Sequence, residues 1–216
     1  MNFDPFDFNS ALPVINEDSE FFPLMSTEDE EEMNNEAIPD ILSILPLRNT
    51  VLFPGVVIPI TVGRDKSIKL IRDANKGSRM IGVVAQQDVA IEDPSFTQLN
   101  KIGTIALIVK MLQMPDGNTT VILQGKKRFM LKEEVQSVPY IKATIEPFKE
   151  TKHKDDKEFK AMVSSIKDMA MSIIQLSPNI PSEAGIAIRN IESTSFLINF
   201  VASTLNADMA AKQRLL

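Results

Sequence analysis

The side chains best suited to covalent chemistry are nearly missing from this sequence. It has no Cys and one His, His153, set in the charged run Lys152-His153-Lys154-Asp155. That excludes thiolate nucleophiles, disulfides, Cys-ligated zinc or iron–sulfur centres, and any triad or metal site built on several imidazoles. Among hydroxyls, Ser182 in Pro181-Ser182-Glu183-Ala184-Gly185 has the small neighbours of a nucleophilic serine. No His is available to take its proton, and it stands where a hydroxyl caps a helix N-terminus, so capping is the better account. Glu133-Glu134 and Asp155-Asp156 are adjacent carboxylates; sequence neighbours point apart on a helix or strand, so both pairs read as solvated. Gly125-Lys126 is followed by Lys127 and lacks the upstream Gly of a phosphate-binding loop. No catalytic, metal-binding or cofactor-binding residue is expected.

Two clusters suit binding instead. Lys126-Lys127-Arg128-Phe129 is the densest basic run and offers phosphate contacts beside a stacking ring. It is short, however, and Lys commonly fringes a strand to protect an edge. Met111, Leu112, Met114 and Pro115 crowd the tip of an expected hairpin. Methionine conforms to many apolar shapes, so an exposed tip would hold unfolded peptide with little sequence demand. A tip folded back onto the body of the domain is the other reading, and the residues alone leave both open.

The elements that position these clusters follow from charge and periodicity. The chain has 216 residues, 44% hydrophobic and 24% charged, with a net charge of −6, an ordinary globular balance with length enough for a core. The charge is unevenly spread. Residues 1–47 hold 12 acids and no Lys or Arg, whereas the rest carries 23 basic and 17 acidic side chains. The acidic part includes Glu28-Asp29-Glu30-Glu31-Glu32 and five of the 12 Phe residues, among them Phe21 and Phe22. Like charges at that density disfavour compaction, so residues 1–40 read as a disordered leader, or as a docking motif for a partner. No run reaches the ~20 apolar residues of a membrane span, and the N-terminus lacks a signal-peptide layout; a cytoplasmic location is expected.

From Ile41 the pattern becomes β-like. Ile41–Leu45 stops at Pro46, and Val51–Phe53 ends at the turn Pro54-Gly55. Val56–Val62 contains Pro59, which cannot donate to a ladder, so that strand belongs at an edge or a bulge. Gly63-Arg64-Asp65 opens a helix to about Asn75, with Ile68, Ile71 and Ala74 inward and Gly77 as its stop. Met80–Ala85 reads as a buried strand and 88–100 as a surface loop. Thr104–Leu112 and Thr119–Leu123 flank Met114-Pro115-Asp116-Gly117-Asn118, a strong hairpin signal. Phe129–Leu131 and Tyr140–Ile145 complete six or seven short strands, which with one helix suggest a small, partly closed barrel. After Pro147, Phe159, Met162, Val163, Ile166, Met169 and Ile173 recur at helical spacing as an inward face. Pro178 and Pro181 break that helix; a second runs from Ser182 to Ile191, and a third buries Phe196, Leu197, Phe200 and Val201. A last helix begins at Asp208 and is cut short, as in a piece of a longer chain. The fold class is α+β: a β-rich lobe over 41–149 and a helical-bundle lobe over 150–216.

An ordered set of motifs resembles the N-terminal domain of Lon-type ATP-dependent proteases (protease La). It starts with Leu45-Pro46-Leu47-Arg48-Asn49-Thr50-Val51-Leu52-Phe53-Pro54-Gly55 and Val62-Gly63-Arg64-Asp65-Lys66-Ser67. Val84-Ala85-Gln86, Ile102-Gly103-Thr104-Ile105-Ala106, Met114-Pro115-Asp116-Gly117 and Gly125-Lys126-Lys127-Arg128-Phe129 follow in register. The resemblance covers 41–216 and implies a PUA-like barrel lobe with a helical lobe behind it. It also implies that ATP and Mg²⁺ chemistry and a Ser–Lys peptidase dyad belong to modules of the parent protease, with no residue of this chain as counterpart. The implied role is to recognise unfolded or degron-bearing proteins and to help organise a homo-hexamer. Candidate apolar contacts are then Phe53, Pro54, Met111, Leu112, Met114 and Pro115. Arg64, Asp65, Lys66 and Lys69 form a charged candidate face at the helix start. A nucleic-acid-binding PUA-like module and a freestanding protein-binding adaptor are the alternatives; no membrane partner is expected.

Overall fold

The computed structural model describes Glu30, Met33 and residues 36–113, 119–148, 156–176 and 183–216. Its β-rich part is one six-stranded mixed sheet. The strands are β1 (Ile41–Leu47), β2 (Val57–Val62), β3 (Met80–Ala85), β4 (Ile102–Gln113), β5 (Thr119–Gln136) and β6 (Lys142–Pro147). Their order is β2-β5-β4-β3-β1-β6, and β5 also pairs with β6. Five strands therefore close into a ring, with β2 added outside on the first half of β5. Strands β1 and β3 are parallel, and the crossover between them carries β2 and α1 (Asp65–Asn75).

Phe129 fills the ring and is fully buried, surrounded by Ile44, Val84, Ile105, Leu131 and Ile145. Gly82 and Gly103 make room for it, since a Cβ on either would come 3.0 Å from its ring. Burying a side chain of this size contributes about 2–3 kcal/mol. A second core lies on the opposite face of the sheet, where Ile81, Val83, Ala106, Ile108, Val121 and Leu123 meet Leu70 and Ile71 of α1. Strand alternation explains the division, since neighbours in a strand face opposite sides.

Several sequence expectations are corrected here. Strand β1 continues through Pro46 to Leu47. Its β6 partner ends at Ser43, so the missing Pro46 donor faces a side without a ladder. Val51–Phe53 is no strand but a buried loop. The expected strands Thr119–Leu123 and Phe129–Leu131 are one continuous β5, which changes partner from β2 to β6 as it passes Gly125. In α1, Ser67, Leu70 and Ile71 are the buried residues, with Ile68 and Ala74 only partly buried. The edge position expected for Pro59 holds, because β2 pairs with β5 alone.

The helices that follow are α2 (Lys157–Leu176), α3 (Glu183–Asn190), α4 (Thr194–Thr204) and α5 (Met209–Leu215). Ser193 caps α4 by accepting the Phe196 N–H at 3.0 Å, and Asp208 caps α5 by accepting from Ala211 at 2.6 Å. Ala170, Ile174, Ile188, Phe196, Leu197 and Phe200 form the helical core, joined by Met33. The inward face expected for α2 is only half right: Met162 is 54% and Met169 59% exposed. Polar contacts among the described residues tie helices to sheet. Arg128 donates to Asn199 Oδ1 at 2.6 Å, and Gln213 donates to the Ile102 carbonyl at 3.0 Å. Ala202, Met209 and Leu216 add apolar contact to the sheet's second core. His153, Pro178, Pro181 and Ser182 lie outside the described residues.

Candidate functional site

Phe53 and Pro54, expected as surface contacts, are interior. Phe53 is fully buried and Pro54 is also buried. The reason is a close crossing of two backbones. A Cβ at Gly125 would lie 2.2 Å from the Phe53 carbonyl oxygen, so only glycine lets β5 approach this turn. Gly55 N–H donates to the Gly125 carbonyl and Gly125 N–H to the Val56 carbonyl, both at 2.9 Å. Gly55, at φ 79°, supplies the positive φ of the Pro-Gly turn. Thr104 Oγ1 then donates to the Leu52 carbonyl at 2.5 Å, pinning the loop from the other side.

The β4–β5 hairpin divides its expected residues between two faces. Met111 pairs with Val121, which pairs with Ile60; this row packs on the second core. Leu112 pairs with Thr120 and so faces the other way. It is 38% exposed, and Val109, at a bulge two residues from Met111, is 47% exposed. On the same face as Leu112 lie Ile122, Pro59 and Val57, all partly exposed, brought into rows by the β2–β5–β4 register, with exposed Lys110 opposite Ile122 and Gln124 opposite Val57. The Thr61 and Thr120 hydroxyls, 3.4 Å apart, mark the polar end of this strip. Met114 and Pro115 lie outside the described residues. Sequence reasoning missed Val57, Pro59 and Ile122 because the strip exists only once three strands are aligned; Pro59, which is barred from a central strand, was the available signal.

The charged candidates also separate. Arg64 and Lys66 line a pocket of about 230 Å³ whose apolar walls include Leu70, Phe96, Val138 and Tyr140. Asp65 and Lys69 are exposed on α1 and are not among its walls. Arg64 donates to Gln86 Oε1 at 3.1 Å, while the Gln86 amide donates to the Asp88 and Ile91 carbonyls. Burial lowers the Arg64 pKa, and Asp93 opposes that shift. Lys66 pairs with Asp93 across the mouth of the pocket. The result is a cleft with apolar walls whose two cations are balanced by the Asp93 and Glu134 carboxylates in the same lining, suited to an extended polypeptide bearing an apolar side chain.

The basic run on β5 has structural work to do. Lys126 pairs with Glu36 at 3.4 Å, and Arg128 reaches Asn199 in the helical part. Phe129, the ring that would stack on a base, is the plug of the barrel. No described helix is long and apolar enough to cross a membrane.

A sequence model of the ATP-dependent protease La (LON) substrate-binding domain matches residues 41–216. Similar proteins include the Lon protease of Flavobacterium johnsoniae, 57% identical over 209 residues, or 96% of this chain and 26% of that protein. The Lon protease of Cytophaga hutchinsonii is 50% identical over 199 residues, 91% of this chain and 24% of that protein. The chain thus spans about a quarter of the length of these relatives. In fold it is similar to the N-terminal domain of the Mycobacterium avium complex Lon protease, with a TM-score of 0.60 at 17% identity over 81% of this chain and 95% of that one. The chain belongs to the Lon protease family, as its N-terminal substrate-binding domain.

Proposed function

We propose that this domain captures unfolded or degron-bearing proteins and delivers them to the ATP-driven machinery of a Lon-type protease. In this reading the barrel is of the PUA-like type and the helices behind it form a small bundle. The rows of Leu112, Ile122, Pro59 and Val57 hold hydrophobic segments, and the pocket lined by Arg64 and Lys66 takes an apolar residue of an extended segment. Met114 and Pro115 are further candidate contacts for the same hydrophobic segments. Asp65 and Lys69 meet substrate or a neighbouring subunit on the exposed side of α1. ATP and Mg²⁺ serve the parent's motor, in the cytoplasm, and each contact is weak, gaining avidity from several copies in a homo-hexamer.

The observation that carries this reading is the set of apolar side chains left partly open on one face of a three-stranded extension. A face of that kind binds by shape and hydrophobicity with little sequence demand. A photo-crosslinking residue at position 112 should label an unfolded protein and not its folded form, while the same residue at an exposed α1 position such as Arg72 should not. Equal labelling from both positions would remove the strip from the site. The nucleic-acid alternative loses support because Lys126, Arg128 and Phe129 are engaged within the fold.

A further inference from the structure

Helix α2 exposes more apolar surface than its own lobe covers. Ala170 and Ile174 are its buried residues. Phe159, Met162, Ile166, Met169, Ile173 and Leu176 follow one another at alternating spacings of three and four, so they form a second, adjoining stripe. Along that stripe Met162 is 54%, Met169 59% and Leu176 83% exposed. Its outer flank is Ser165 and Ser172, whose hydroxyls donate back to the Ala161 and Asp168 carbonyls. Glu158 continues this flank seven residues earlier and is exposed, so the flank carries one carboxylate in the first turn and is otherwise uncharged through Ser165 and Ser172.

The end of the acidic leader is fastened beside the same helix. Met33 is 8% exposed within the cluster that contains Ala170 and Ile174. Three residues earlier, Glu30 accepts a hydrogen bond from Ser193, the cap of α4, where a carboxylate also meets the positive end of the helix dipole. Immediately upstream is Phe21-Phe22-Pro23-Leu24-Met25, four apolar residues in five. The five steps from Met25 to Glu30 span up to ~17 Å, and α2 with its 20 residues is about 30 Å long. A segment tethered at Glu30 is thus held close to the helical lobe that carries the stripe.

We propose that Phe21-Phe22-Pro23-Leu24-Met25 folds back onto α2 of its own chain and covers the stripe of Met162, Met169 and Leu176. A second copy fits less well. A coiled-coil seam needs both flanks of the stripe, and on one side Val163 and Ala170 are taken up by the helical core. The acidic run between the segment and Met33 then stays in solvent, except for Glu30 at the α4 cap. The contact makes the leader part of the helical lobe, so that the leader and any apolar partner of α2 exclude one another.

The chain has no Cys, so a pair of introduced thiols is unambiguous. Phe22→Cys with Met169→Cys, treated with a short bis-maleimide, should give a product of monomer mass joining the two positions. No such product, or a dimer joining two copies of Met169→Cys, overturns the proposal. Oxidation supplies an independent readout on a chain carrying Phe21→Ser and Phe22→Ser. Dilute peroxide should convert Met162 and Met169 to sulfoxide roughly fivefold faster than in the parent chain, with Met111 unchanged. Equal rates overturn the proposal; a rise at Met111 as well would signal unfolding, and the crosslink then decides.

Discussion

Replacing Gly125 with Ala tests whether the Phe53–Pro54 turn is core. The added methyl would start 2.2 Å from the Phe53 carbonyl oxygen and 3.0 Å from its carbonyl carbon. Both obstacles are backbone, so no rotamer change relieves them. Strand and turn must separate, which breaks the two 2.9 Å hydrogen bonds that Gly125 makes with Gly55 and Val56. Two such bonds contribute about 1 kcal/mol each, and overpacking adds roughly 1–3 kcal/mol. The total is about 3–5 kcal/mol. Urea unfolding followed by far-ultraviolet circular dichroism should place the midpoint roughly 1.5–2.5 M lower, at about 2 kcal/mol per molar. A loss below about 1 kcal/mol would refute the crossing and return Phe53 and Pro54 to the candidate surface.

Other perturbations separate site from scaffold. Met111→Ser should lower stability by roughly 2 kcal/mol because that side chain packs on the second core, whereas Leu112→Ser should stay within about 1 kcal/mol of the parent; thermal unfolding of both distinguishes them. Asn199→Ala removes the acceptor of Arg128 between sheet and helices and should cost roughly 2 kcal/mol, read as earlier release of the helical part under hydrogen exchange. Tyr140 is taken out of water and donates to Asp73 at 3.1 Å, and both effects, desolvation first, raise its pKa. A raised acid stabilises the fold below the ordinary tyrosine range and ceases to do so as pH climbs through the folded value. Tyr140→Phe should thus be about 1 kcal/mol less stable at pH 7, with the gap narrowing above pH ~10 in unfolding curves.

Local chemistry made much of the fold legible. Pro59 announced an edge strand, Asp116-Gly117 a hairpin, and the 3.6 period a helix after Pro147, because each rests on interactions within a few residues. What escaped depends on contacts distant in sequence. Nothing near Phe53 tells that Gly125 will cross its carbonyl, so an apolar turn read as surface proved interior. The continuity of β5 was hidden because Gly125-Lys126-Lys127 reads as a break, yet the glycine is there for the crossing, and Lys126 and Arg128 are there for Glu36 and Asn199. In α2 the period was correct, but it could not say how wide a face the lobe would bury. The candidate strip was half visible: Leu112 was named, whereas Val57, Pro59 and Ile122 join it only through strand register.

The central claim is that partly open apolar rows on the β2–β5–β4 extension grip unfolded protein. Its most direct test is the affinity of the intact chain for a permanently unfolded, carboxymethylated protein, measured by fluorescence anisotropy with Leu112 and Ile122 both changed to Glu. A rise in Kd of about tenfold or more, in a variant whose unfolding midpoint stays near the parent's, is the predicted result. A Kd within about twofold of the parent's contradicts the account.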